Sequence, residues 1–284
     1  MGRFRRSWEL VKLCWQVLQQ DKELVVFPTV SLICMVIVTA SFIVPGIFSG
    51  FWASVGDGGV NIGMIVLIIL FYLVQYFVII FFNAALICAA RIRLQGGDPT
   101  LGDGLRGAGS HLGAVLGYAA ISATVGLVLS LIREQGGVAG ALFASLGGMA
   151  WNIVTFLAIP VLVVEGVGPV EAIKRSGSLL KKTWGEQLIG SSSIGLVFGL
   201  LAVAVGILGT LLGAVIIGAG ALWVGVAVIV VALIAVLAIS MLGATLHGIY
   251  AAALYGYAVG GDTGVFGAEA LAGAFGPKRG RRGL

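Results

Sequence analysis

Few residues in this 284-residue chain have the types and spacing that chemistry requires. The two histidines are His111 and His247, and no acid or cysteine lies near His247 in sequence. A metal centre needs three or four convergent ligands, and neither a HExxH pattern nor a CxxC pair is present among Cys14, Cys34 and Cys88. Those thiols read as reduced, small apolar residues. Gly102, Gly104 and Gly107 spell G-x-G-x-x-G. A dinucleotide site sets that string between a buried strand and a helix, whereas here it follows a polar loop. Ser191-Ser192-Ser193 lacks the G-x-S-x-G elbow of a serine hydrolase. No catalytic residue, cofactor or metal is therefore expected, and an enzyme is the least favoured class.

What remains is neutral and set in apolar surroundings. Asn83, Asn152 and His247 stand out, with Gln75, Ser122, Thr124, Thr155, Ser240 and Thr245 beside them in type. Ion-coupled pumps place an acid or base inside the membrane, and none of these is one. The residues read more simply as hydrogen-bonding links between helices, each worth about 0.6 kcal/mol. The alternative is a polar lining, by Asn83, Asn152 and His247, of a passive path or lipid groove.

The elements that position them follow from charge. Residues 24–56, 58–90, 107–132, 135–164 and 187–261 contain no Asp, Glu, Lys or Arg. The chain is 59% hydrophobic and 10% charged, against about 25% charged in soluble domains. Stretches of about 20 apolar residues cross a bilayer. The first four stretches hold one span each, and the last has room for two or three. Two spans put every Lys and Arg except Arg133 on one side, as the positive-inside rule asks. The expected fold is thus all-α: a six-helix transmembrane bundle, with spans at about 25–50, 61–90, 110–132, 138–164, 188–216 and 222–259. Both termini are expected in the cytoplasm, at a cytoplasmic (inner) membrane, with an uncleaved first span. The net charge of +5 then expresses sidedness. Its expected counterpart is anionic lipid headgroups, not nucleic acid.

Residues 1–23 read as an amphipathic helix with Phe4, Trp8, Val11, Trp15 and Leu18 on one face. That face suits either the headgroup layer or the protein's own surface. Pro169 and Glu171 open a second such helix, with Val170, Ile173, Leu180 and Trp184 opposite Lys174, Arg175, Lys181 and Lys182. A weaker one covers 99–109, and another is expected around Phe266, Ala270, Leu271 and Phe275 in the basic tail 262–284. Segment plus hairpin, three times over, describes the plan, and the joints share Gly-rich acidic turns. Pro45 and Pro160 should kink their spans. Ser240, Ala244, Gly248, Ala252, Gly256 and Gly260 recur every four residues on the sixth span, and Gly195, Gly199, Gly209 and Gly213 mark the fifth. Small residues let helices approach closely in lipid. The stripe is expected to pack the fifth helix on the sixth, or else to hold a second copy or a membrane-protein partner.

Asp21-Lys22-Glu23-Leu24, Gly96-Gly97-Asp98-Pro99-Thr100, Glu165-Gly166-Val167-Gly168-Pro169-Val170-Glu171 and Lys182-Thr183-Trp184-Gly185-Glu186-Gln187 carry a resemblance. In their order and setting the chain resembles a prokaryotic family of six-helix membrane proteins catalogued as a domain of unknown function. More distantly it looks like the membrane domain attached to some glycerophosphodiester phosphodiesterases, without their catalytic barrel. The resemblance implies fold and membrane location, and no activity. The expected role is a non-enzymatic scaffold, accessory subunit or membrane organiser. The alternative is an uncoupled transporter or channel for lipid or a small apolar solute.

Overall fold

Hydrocarbon offers no water to satisfy a peptide group, so a chain this apolar closes its hydrogen bonds within helices. The structure, a computed structural model, describes residues 3–48, 62–184 and 193–260. It contains α1 (Arg3–Gln20), a 3-10 turn (Lys22–Val25), α2 (Val26–Phe48), α3 (Ile62–Leu94), α4 (Leu101–Gly109) and α5 (Leu112–Gln135). These are followed by α6 (Gly137–Val154), α7 (Ala158–Glu165), α8 (Pro169–Trp184), α9 (Ser193–Gly218) and α10 (Leu222–Ala258). Among the described residues there is no strand. Six segments are long and apolar enough to cross a membrane: Lys22–Pro45, Ile62–Leu94, Leu112–Gln135, Gly137–Glu165, Val197–Gly218 and Leu222–Ala258. The chain is a multi-pass membrane protein of three antiparallel hairpins. Residues 49–61, the segment around Phe266, Ala270, Leu271 and Phe275, and the basic tail lie outside the described residues.

Burial is concentrated at one end of the bundle, the end that carries Arg91, Arg93, Arg106, Lys174 and Lys181. There α3 buries Ile80 to Leu94, α10 buries Gly243 to Tyr255, α5 buries Val115 to Ala123, and α7 buries Ala158 to Val163, with exceptions between. Helix length gives the reason. The 33 residues of α3 and the 37 of α10 run about 50 and 55 Å at 1.5 Å per residue, against about 30 Å of hydrocarbon. The extra length leaves room for tilt and for a packed layer at the basic end. The short helices close around it: Cys14, Val17 and Leu18 of α1, Ala108 of α4, and Ala172 and Leu180 of α8 all enter the core. The opposite halves face lipid, with large side chains such as Leu142, Leu211 and Val231 exposed.

The short helices are pinned by polar contacts. Arg93 donates to the Gln20 carbonyl at 3.0 Å, to the Gly97 carbonyl at 3.2 Å and to Asp98 Oδ1 at 3.1 Å. One guanidinium thus joins the end of α1 to the α3–α4 turn. Thr100 and Asp103 form a reciprocal capping box at the start of α4. The Thr100 hydroxyl and amide hold the Asp103 carboxyl below its ordinary pKa.

The fourth span is broken, not merely kinked. Pro160 would clash with the carbonyl four residues back inside a continuous helix. The chain instead turns at residues 155–157 and restarts as α7 with Pro160 in its first turn, where proline is tolerated. The Leu157 N–H at the break donates to the hydroxyl of Ser176, fully buried on α8, at 3.0 Å. Ser176→Ala should leave that donor unsatisfied and destabilise the protein by about 1–3 kcal/mol. Thermal unfolding in lipid discs checks this, and an unchanged midpoint would contradict it. Pro45, by contrast, sits within an uninterrupted α2.

Candidate functional site

Small residues build the site by where they touch and where they do not. In the lipid-facing half, α9 and α10 lie backbone to backbone. A Cβ at Gly225 would come 2.6 Å from the Gly213 carbonyl, and one at Gly213 would come 2.8 Å from the Gly225 carbonyl. Toward the basic end the same device leaves space. Gly195 and Gly199 of α9 have nothing within 4 Å of where a Cβ would stand, and Ser240 and Ala244 of α10 are exposed. A groove of about 470 Å³ results, bounded by these faces, by Ser31, Leu32 and Met35 of α2, and by Ile79, Asn83 and Leu86 of α3.

The lining is apolar except for Ser31, Asn83, Ser240 and His247, and no Asp, Glu, Lys or Arg takes part. Ser240 donates back to the Val236 carbonyl at 2.8 Å, as serine often does within helices. Ser31, Asn83 and His247 have no hydrogen-bond partner among the described residues. The His247 ring meets Phe156 edge-on at 5.0 Å, so the groove touches the break in the fourth span. Unpartnered polar groups are costly in hydrocarbon, and this groove collects three of them. Such a lining can hold and orient a ligand.

Of the three candidate lining residues, the structure brings Asn83 and His247 together and sets Asn152 apart. Asn152 lies on the exposed side of α6, in a separate seam of about 420 Å³ shared with Ser130, Arg133 and Ser145. The six-residue stripe also divides. Ser240 and Ala244 line the groove, Ala252 is buried, Gly256 is half-buried, and Gly260 follows α10 with φ +72°. Gly248 packs against Leu86 of α3. The expectation that the stripe joins the fifth and sixth helices is corrected at that point: its partner is the second span, because α10 turns this face toward α3.

Of the interfacial residues, Trp15 is 40% exposed while Cys14, Val17 and Leu18 are buried. Leu18 of the expected stripe therefore docks, with Cys14 and Val17 beside it, while Trp15 of the same stripe stays exposed. On α8, Lys174, Arg175 and Lys181 are exposed, whereas Ala172, Ser176 and Leu180 face inward. The side chains of Phe4, Trp8, Lys182 and Trp184 lie outside the described residues. Burial pushes the Cys14 thiol up to about 12. A variant with Cys14 as its lone cysteine should resist maleimide at pH 8, where only about one thiol in ten thousand is ionised and reactive. A lone cysteine introduced as Gln16→Cys, on the exposed side of α1, should react readily. Equal rates would show that α1 does not stay docked.

Sequence reasoning missed two contacts. Glu165 ion-pairs with Arg175 and accepts from the Tyr255 hydroxyl at 3.0 Å, which keeps the Arg175 guanidinium above its ordinary range. Three elements meet there, just before Gly166 ends α7 in the left-handed conformation that glycine adopts without strain. The acidic joint was legible, but its partners were not, because Tyr255 lies 90 residues away. Ser31 was missed because nothing local distinguishes it from other serines in spans.

Residues 61–266 match a family model described as a family of unknown function (DUF6159). No curated protein and no solved structure matches the chain.

Proposed function

We propose, for a chain that belongs to this family of unknown function, a non-enzymatic role in which the groove between α2, α3, α9 and α10 takes up a lipid or small apolar molecule. The supporting observation is the groove itself, open and apolar, with Asn83 and His247 unpartnered on its wall. Pockets of about 300–1,000 Å³ with a few placed polar groups are the usual form of ligand sites. Uptake is lateral, from the bilayer, and needs no ion coupling, since no charged side chain lines the path. The proposal includes a cytoplasmic-membrane location with both termini inside, and anionic headgroups against Lys174, Arg175 and Lys181. A prokaryotic origin and the distant kinship to the membrane domain of glycerophosphodiester phosphodiesterases belong to the same proposal.

A second reading, a scaffold or accessory subunit, draws on the lipid-facing half of the α9–α10 hairpin. Its large side chains, Leu211 and Val231 among them, are exposed, and a membrane-protein partner or second copy would cover them. Purification in native lipid discs followed by mass spectrometry separates the two. One enriched lipid on a lone protein is expected from the groove. A stoichiometric protein partner with no enriched lipid would overturn the groove reading in favour of the scaffold.

A further inference from the structure

We infer that the groove selects a neutral lipid, one presenting a hydroxyl or carbonyl such as a diacylglycerol, over a phospholipid with an anionic head; this rests on the groove reading above. Depth is the first argument. Asn83 lies eleven residues before the end of α3 at Leu94, and His247 eleven before the end of α10 at Ala258. Both therefore stand about 16 Å in from the basic end at 1.5 Å per residue. A phosphate held by the cations at that end, Arg91 in the last turn of α3 among them, does not reach that level. A lipid whose polar group is small and uncharged can sink to it.

Chemistry is the second argument. The groove offers an amide, an imidazole and the Ser31 hydroxyl, together able to donate and accept, and no positive charge. Moving a phosphate away from water against neutral groups alone is expensive, because nothing repays its lost hydration. A hydroxyl or carbonyl meets donors and acceptors here that have no other partner among the described residues. The same contacts that satisfy the ligand satisfy the protein. Gly248 adds precision: the Asn83 amide oxygen is 3.7 Å from where a Cβ there would stand, so the bare backbone leaves the amide close beside α10, whose His247 lines the same groove.

The test uses the full chain in lipid discs with two photoactivatable probes that carry the same diazirine acyl chain, a diacylglycerol and a phosphatidylglycerol. Labelled peptides are read by mass spectrometry. Diacylglycerol should label the groove segments around Phe198 and Met241 at least fivefold more than phosphatidylglycerol, and Asn83→Leu and His247→Leu should each reduce its labelling about fivefold, the loss of one neutral hydrogen bond. Equal groove labelling by both probes on the unaltered protein overturns the headgroup inference and leaves the groove reading standing. Groove labelling by neither probe overturns both. Because the probe comparison needs no variant, it stands even where a substitution impairs folding.

Discussion

Ala244→Phe should abolish groove labelling by a diazirine lipid, with a loss of at least tenfold, while the protein keeps its unfolding midpoint. Ala244 is exposed on α10 and lines the groove opposite α2 and α3. An aromatic ring there occupies the space that Gly195, Gly199 and Ser240 leave open. The residue is not in the buried core at the basic end, so the added volume meets lipid space and not packed side chains. Overpacking, which typically costs about 1–3 kcal/mol in a filled core, is avoided. Retained labelling with an intact fold would mean that the lipid sits elsewhere.

The second large effect lies in the glycine string. Gly104→Leu should destabilise the protein by about 3 kcal/mol, the upper part of the range for overpacking. A Cβ at Gly104 would stand 2.5 Å from the Phe27 ring and 2.7 Å from the Ala85 carbonyl oxygen. The ring can tilt, but the carbonyl belongs to the backbone of α3 and cannot move without bending that helix. At Gly107 a Cβ would meet the Cys88 sulfur at 2.8 Å. Gly104 and Gly107 thus form the contact surface that lets α4 lie flat on α3, whereas a Cβ at Gly102 would meet only the Thr100 hydroxyl. Hydrogen exchange over α4 and thermal unfolding check the effect. Unchanged protection together with an unchanged midpoint would remove this explanation.

Particular residues show where sequence reasoning stopped. Asn83, Asn152 and His247 are alike as polar residues in apolar spans, and nothing local separates them. In the structure two share a groove and the third faces a different seam. The stripe from Ser240 to Gly260 was legible as a packing surface, because small residues at every fourth position share a helix face. Its neighbour was not legible, since a face without a crossing angle does not name the helix it meets. On α1 the expected stripe held both Trp15 and Leu18, yet of these two Leu18 docks, together with Cys14 and Val17, and Trp15 does not. Amphipathic patterning ranks residues by solubility, and an interfacial tryptophan is content outside the core.

The sequence by itself determined the class of protein, the six spans and the segregation of Lys and Arg. Each follows from one-dimensional physics: the price of charge in hydrocarbon and the length needed to cross it. Only the tertiary structure decided that the helices open into a groove at one level and close on glycine at another. It also decided that Ser176 serves the broken backbone at Leu157 and that Glu165 meets Tyr255. Those outcomes depend on how far apart two helices lie at a given depth. That distance is set by side chains from several spans at once, so no single segment encodes it.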